Sequence, residues 1–263
     1  MDFINHTNEV KNRELLLLFM ITNASKSTVS LSLYNRIYKA TLLLFLILIG
    51  SFSEGLAQSE DKLGSWYIYN GFFNINPKVE LFFETQLRNW ETFSNPENFF
   101  LRPYFNYNVT ENFQPGIGLE YHRSWTYSED PDEKVSSNEF RMTLQTMLFH
   151  KIGRVALQHR YRYEFRNVDG DHLQRTRYRI QATVPINNKS IVKGTLFFNT
   201  FNEFLVDTKP TLAFSQNRFY LAGGYQFNKS LNFQFGYLFI SRTSTTHHRL
   251  QFLLTQKLYF YDR

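Results

Sequence analysis

The sequence predicts an all-β fold, a single antiparallel transmembrane β-barrel of about 10–12 strands with short periplasmic turns and longer extracellular loops. Three observations predict it. Stretches of about ten residues alternate apolar with polar or charged side chains through almost all of the chain after residue 60, and a period of two marks a strand with two unlike faces. The connections between these stretches run short, long, short, long. The charged face also recurs on strand after strand, which suits a closed sheet with a polar interior and hydrocarbon outside.

Ahead of the strands, Ala40 to Gly50 form a short apolar core that follows Arg36 and Lys39 and precedes Gly55-Leu56-Ala57. It falls short of the roughly 20 residues that a membrane-spanning helix needs. A basic flank, an apolar core and a small-x-small exit predict a secretory signal cut after Ala57 or Gln58. Residues 1–57 are therefore an N-terminal extension with a cleaved signal, and 58–263 the barrel. Residues 1–30 make a long lead into such a signal, and Met20 is an alternative start.

Strands are predicted near 65–75, 78–90, 99–109, 114–127, 139–150, 155–167, 175–185, 191–203, 217–227, 231–242 and 247–260. In the second, Val79, Leu81, Phe83, Thr85 and Leu87 oppose Glu80, Phe82, Glu84, Gln86 and Arg88. In the third, Phe99, Leu101, Pro103, Phe105, Tyr107 and Val109 oppose Arg102, Tyr104, Asn106 and Asn108. The fifth sets Phe140, Met142, Leu144 and Leu148 against Glu139, Arg141, Thr143 and Gln145, and the seventh sets Tyr178, Ile180, Ala182 and Val184 against Arg175, Arg177, Arg179 and Gln181. Tight turns are predicted at Asn76-Pro77-Lys78, Thr110-Glu111-Asn112, Lys151 to Arg154, Asn187-Asn188-Lys189 and Asn228-Lys229-Ser230. Longer loops are predicted at Phe93–Asn98, Ser128–Asn138 (with Glu129, Asp130, Asp132 and Glu133), Asn167–Gln174 and Leu205–Gln216. Eleven segments conflict with the even strand number of single-chain bacterial barrels. Either a short strand precedes Trp66 or one segment lies outside the wall.

Composition narrows the function classes. The 263 residues contain no cysteine, which removes disulfides, zinc–thiolate sites, thiol catalysis and a lipoprotein anchor. The formal charge of +6 is spread along the chain without a basic cluster, so no nucleic-acid partner is expected. Aromatics make up 18%, too many for one sandwich core, and Trp66, Trp90, Trp125, Tyr127, Tyr161, Tyr163, Tyr259 and Tyr261 sit near strand ends. Interfacial girdles use such rings, and this reading outweighs the ordinary strand propensity of aromatics.

The inner face is heavily ionised. It carries Glu80, Glu84, Arg88, Arg102, Glu120, Glu139, Arg141, Arg160, Arg162, Glu164, Arg166, Arg175, Arg177, Arg179, Glu203 and Arg218. Facing lipid at mid-membrane would cost such a group roughly 2–4 kcal/mol. Two roles compete. Arg–carboxylate pairs could fill a narrow lumen and lock the strands, with Arg162 set against Glu139 or Glu203. Alternatively they could attract a small anionic solute into a passage or cleft. The large inner residues Phe82, Tyr104, Phe197 and Phe201 favour the first.

No Gly-x-Ser-x-Gly, His-Glu-x-x-His or phosphate-binding loop is present. His122-Arg123-Ser124 is similar to the His-x-Ser of outer-membrane phospholipase A, and residues two apart share a strand face. The register points the pair into the lumen beside Glu120, whereas a lipid hydrolase needs it on the membrane face. His172, His247 and His248 lie in or near loops without a third metal ligand. No metal and no cofactor are expected.

In order along the chain come Leu63-Gly64-Ser65-Trp66, Glu84-Thr85-Gln86-Leu87-Arg88, Asn138-Glu139-Phe140-Arg141, His159 to Arg166, Arg175-Thr176-Arg177-Tyr178-Arg179, Asn202-Glu203-Phe204, Gln216 to Tyr220 and Gly224-Tyr225. This ordered set resembles a bacterial outer-membrane family known as domain of unknown function 2490, common in Bacteroidetes, over about residues 63–260. The resemblance implies an outer-membrane barrel, in a Gram-negative cell, and brings no activity. The expected partners are outer-membrane lipids and the barrel-assembly machinery.

Overall fold

A computed structural model describes residues 62–128 and 133–262. The expected signal segment and Glu129, Asp130 and Asp132 lie outside the described residues.

Eleven strands form one closed barrel: β1 (Gly64–Asn74), β2 (Val79–Asn89), β3 (Pro96–Tyr107), β4 (Phe113–Tyr127), β5 (Lys134–Ile152), β6 (Val155–Val168), β7 (Asp171–Pro185), β8 (Leu196–Lys209), β9 (Ala213–Gln226), β10 (Leu231–Ser241) and β11 (Thr246–Tyr259). Chain neighbours pair antiparallel, as short hairpin connections require. When an odd number of strands alternates in direction, the first and last point the same way. The ring accordingly closes by a parallel pair, from Gly64 opposite Arg249 to Asn74 opposite Tyr259. The count therefore closes without an extra strand before Trp66 and without excluding a segment.

Alternation sets the two faces. On β3, Asn98, Phe100, Arg102, Tyr104 and Asn106 are buried inward, while Leu101, Phe105 and Tyr107 are exposed outward. On β4, Glu120 and His122 are buried, and Leu119 between its inward neighbours is 64% exposed. The interior has two sectors. Arginines and carboxylates dominate from β2 to β8, whereas Trp66, Ile68, Tyr220, Ala222, Leu238 and Ile240 form an apolar cluster on β1, β9 and β10. Gly224 lets the Phe197 ring approach the wall, since a Cβ there would lie 2.3 Å from that ring.

The expected alternation of short turns and long loops is corrected. Ladders run through most of the polar stretches, pairing Tyr127 with Lys134, Val168 with Asp171, and Asp207 with Ala213. The β6–β7 turn is only Asp169-Gly170, both at positive φ (47° and 103°), the two-residue hairpin geometry favoured by the right-handed twist of strands. On the other rim, the expected tight turn at 187–189 opens the longest connection, residues 186–195. Turn length therefore does not distinguish the two rims.

One place in the wall is thin. Pro103 has no N–H to donate, and pairing of β3 with β4 is interrupted between Leu101–Tyr121 and Tyr104–Gly118. Pairing of Pro103 with Phe83 on the β2 side is intact.

Candidate functional site

The interior charge network is the candidate site. Strand alternation places its members, and cross-strand register brings them together. Glu120 on β4 is its densest node. Its Oε2 meets Arg102 Nε at 3.0 Å, His122 Nε2 at 2.9 Å and Arg141 Nη1 at 3.6 Å. Its Oε1 accepts from the Tyr104 hydroxyl at 2.6 Å and from Thr143 at 3.0 Å. Arg102 also donates to Glu84 Oε2 at 2.9 Å, which ties β2, β3 and β4 together.

A second node is Glu203 on β8. Arg160 donates to Oε1 at 2.7 Å and Arg177 to Oε2 at 2.8 Å, with Arg218 Nη1 at 3.5 Å. Arg177 links this node to Glu164 at 2.7 Å, and Arg141 lies 3.7 Å from the other oxygen of Glu164. Glu139 accepts from both Arg141 and Arg166. Arg175 donates to Asp207 at 2.6 Å. Charge-assisted, many-partner contacts of this kind hold groups that would be very costly to bury singly.

Three arginines of the expected lumen network, Arg88, Arg162 and Arg179, have no carboxylate within ion-pair distance among the described residues. Arg88 donates to Gln86 at 3.0 Å and lies 3.6 Å over the Trp66 ring. Arg162 donates to Gln145 at 3.0 Å and lies 4.7 Å over Tyr104. Arg179 donates to Gln158 at 3.3 Å and lies 5.1 Å over Phe201. The expected pairing of Arg162 with Glu139 or Glu203 is therefore corrected. Its cross-strand neighbours are Gln145 and Arg177, and aromatic faces and amides take the place of a counter-ion. Glu80 is inward too, bonded by Asn106 at 3.0 Å and Gln114 at 3.5 Å.

The His122–Ser124 pair faces inward. His122 is 3% exposed, bonded to Glu120 and stacked on Phe100 with centroids 4.6 Å apart. The Ser124 hydroxyl accepts from Asn98 rather than meeting the imidazole in a hydrogen bond. Neither side chain is presented to the outer wall where a lipid ester would lie. His247 and His248 open β11 beside the 242–245 turn, and consecutive strand residues point to opposite faces. No group of metal-ligating residues occurs among the described residues.

The aromatic girdle needs correction. Trp66 is 4% exposed and faces the lumen beneath Arg88 and Arg218. Tyr259 stands opposite buried Asn74 and shares its inward register. Trp90 lies in the β2–β3 connection; its indole N–H donates to the Trp125 carbonyl at 3.0 Å, and its ring meets His247 and Tyr127. Trp125 and Tyr127 are on the outward register near the same rim. Tyr161 and Tyr163 are outward but near the middle of β6. A strand gives aromatics equal access to either face, so position near an end does not settle direction.

Several network members were not anticipated. Glu97 sits at a register shift, where a bulge re-aims the side chain and breaks the alternation that finds inward residues. Asp207 continues the inward series of Glu203 and Leu205 but lies in the stretch 205–216 that its polarity marks as a loop. Arg249, 1% exposed and 3.4 Å from Glu97, follows two histidines that obscure the alternation on β11. Neither a curated protein nor a solved structure matches this chain. The model of the family described as protein of unknown function (DUF2490) matches residues 63–251. With a closed all-β barrel over that same span, the chain belongs to this family of proteins of unknown function.

Proposed function

We propose that the protein is an outer-membrane β-barrel, exported by the signal within residues 1–57, whose ionised lumen is packed shut and which serves a non-enzymatic structural or binding role. One observation carries this reading: the greasy face of the sheet is outside and the ionised face is sealed within. Leu119, Phe140, Phe105, Ile117, Leu144, Phe204 and Phe235 are all exposed on the outer wall, a continuous apolar surface that a water-soluble monomer rarely presents. Strand length agrees. The shortest strands, β1, β2 and β10, have 11 residues. At about 3.3 Å per residue and a tilt near 45° they cover about 25 Å, the height of the apolar band in such barrels. Insertion is tested by folding the protein into vesicles. Heat-modifiable electrophoretic mobility and strands resistant to external protease are expected; a detergent-free, monodisperse soluble protein would refute the placement.

Packing supports the closed lumen. Phe100, Tyr104, Phe197 and Tyr220 are at most 3% exposed, and Arg102, Glu120, Arg177 and Glu203 at most 4%. A second reading, an anion-preferring passage, is favoured by the three lumen arginines Arg88, Arg162 and Arg179, which meet amides and aromatic rings in place of carboxylates. Planar-bilayer recording separates the two: no discrete conductance is expected, and reproducible anion-selective steps would support the second. Ester hydrolysis by His122 and Ser124 has no place in this reading, since the imidazole is bonded to Glu120 and the Ser124 hydroxyl accepts from Asn98.

A further inference from the structure

A furrow of about 760 Å³ crosses the outer wall. Antiparallel register explains it. Leu101, Tyr121 and Phe140 stand level on β3, β4 and β5, and Leu119, Met142 and Phe165 stand level on β4, β5 and β6. These two rows are the banks, and the backbone of the inward residues between them is the floor. The ladder interruption at Pro103 lies at the β3–β4 end of the furrow. Towards β6–β8 the lining turns polar, with Asn167, His172, Gln174 and Lys209.

The furrow has a direction. Its polar end abuts the Asp169-Gly170 hairpin and the last residue of β8, at one rim. Followed the other way, the same rows pass Thr85 and Phe83 on β2, Tyr69 and Gly71 on β1, and Leu254 and Gln256 on β11. They reach Phe233 and Leu231 on β10, beside the turn at the opposite rim. The furrow therefore descends obliquely from one rim into the apolar middle of the wall, as tilted strands require. Its volume is that of an ordinary ligand site.

We infer that this furrow docks one anionic phospholipid, an acyl chain lying between the two apolar rows and the phosphate held at the Asn167–Lys209 end. Charge chooses the headgroup. Lys209 is outward, level with Gln174, and exposed. The other ionised residues of the lining, Glu120, Arg141 and Arg166, face inward and are paired there. Gln174 accepts from the Tyr163 hydroxyl at 2.7 Å, which leaves its amide N–H groups to donate. In the same corner, Asp169 accepts from the Asn138 N–H and Asp207 from Arg175, so both acids are engaged. The site depends on the bilayer placement proposed above.

The test folds the protein into vesicles of equal phosphatidylglycerol and phosphatidylethanolamine, extracts it in mild detergent and weighs it by native mass spectrometry. One retained phosphatidylglycerol per barrel is expected, favoured over phosphatidylethanolamine by about fivefold, the ratio given by one lysine near a membrane surface. Lys209→Gln should bring that preference close to unity. Leu119→Trp, which fills the furrow, should remove the retained lipid, whereas Leu221→Trp, outward on β9 and away from the furrow, should keep it. A barrel that inserts but retains no lipid overturns the docking site alone. So does equal retention in the Leu119→Trp and Leu221→Trp variants, or a preference indifferent to Lys209→Gln. Failure of the native protein to insert overturns both the site and the placement beneath it.

Discussion

Replacing Glu203 with Gln tests the lumen network most directly. Gln keeps the shape and can still accept, but it removes the negative charge shared by Arg160, Arg177 and Arg218. Two of these contacts are short charge-assisted hydrogen bonds, each worth roughly 1.5–3 kcal/mol. Uncompensated guanidinium groups would then remain beside one another, since Arg179 is directly cross-strand from both Glu203 and Arg160. Breaking a buried ion pair typically costs about 3–5 kcal/mol, and Glu203→Gln is expected to destabilise the barrel by that much. Urea titration of the protein folded in vesicles, followed by tryptophan fluorescence, gives the value. The double variant Arg160→Met with Glu203→Leu removes a charge of each sign and takes no partner from another acid, and is expected to recover at least about half the loss. A Glu203→Gln loss below about 0.5 kcal/mol, typical of surface substitutions, would refute the network as a locking device.

Other outcomes follow from the two faces. Gly224→Ala is expected to cost about 1–3 kcal/mol because its Cβ would meet the Phe197 ring at 2.3 Å, whereas Gly223→Ala, with nothing within 4 Å, should be near neutral in the same urea titration. Leu144→Arg, outward near the middle of β5 and level with Ile117 and Tyr163, should lower stability in vesicles by roughly 2–4 kcal/mol, and equal stability in vesicles and micelles of any thickness would count against a mid-bilayer depth. Ser124→Ala should leave phospholipid turnover by the purified barrel unchanged, and native turnover abolished by this variant in a folded protein would reinstate the His-x-Ser pair as catalytic.

Much of the barrel was legible in side-chain period alone, because burial of one face and exposure of the other leaves the same imprint on each strand. Val79 to Arg88 and Glu139 to Leu148 divide as their alternation predicts. Closure was not legible: nothing in the period of β1 or β11 says that they pair parallel. Loop lengths are not legible from polarity, since the ladder of β4 with β5 runs out to Tyr127 and Lys134 through polar sequence. At the β6–β7 turn a sharper signal was present, since Asp169-Gly170 is a hairpin dipeptide. The site divides in the same way. Inward direction of Glu120, Arg160 or Arg177 follows from parity, but which acid meets which base depends on stagger between strands, and Arg162 rests on Tyr104 rather than on an acid.

The parallel seam between β1 and β11 has a consequence for biogenesis. In an even-stranded barrel both ends of the polypeptide emerge in the same compartment. Here the start of β1 lies level with the start of β11, so the end of β11 emerges at the opposite rim. In the bilayer placement proposed above, one tail has to be hauled across the membrane while the seam zips, and a folded cargo protein fused to that tail would stall assembly where the same cargo on the other would not.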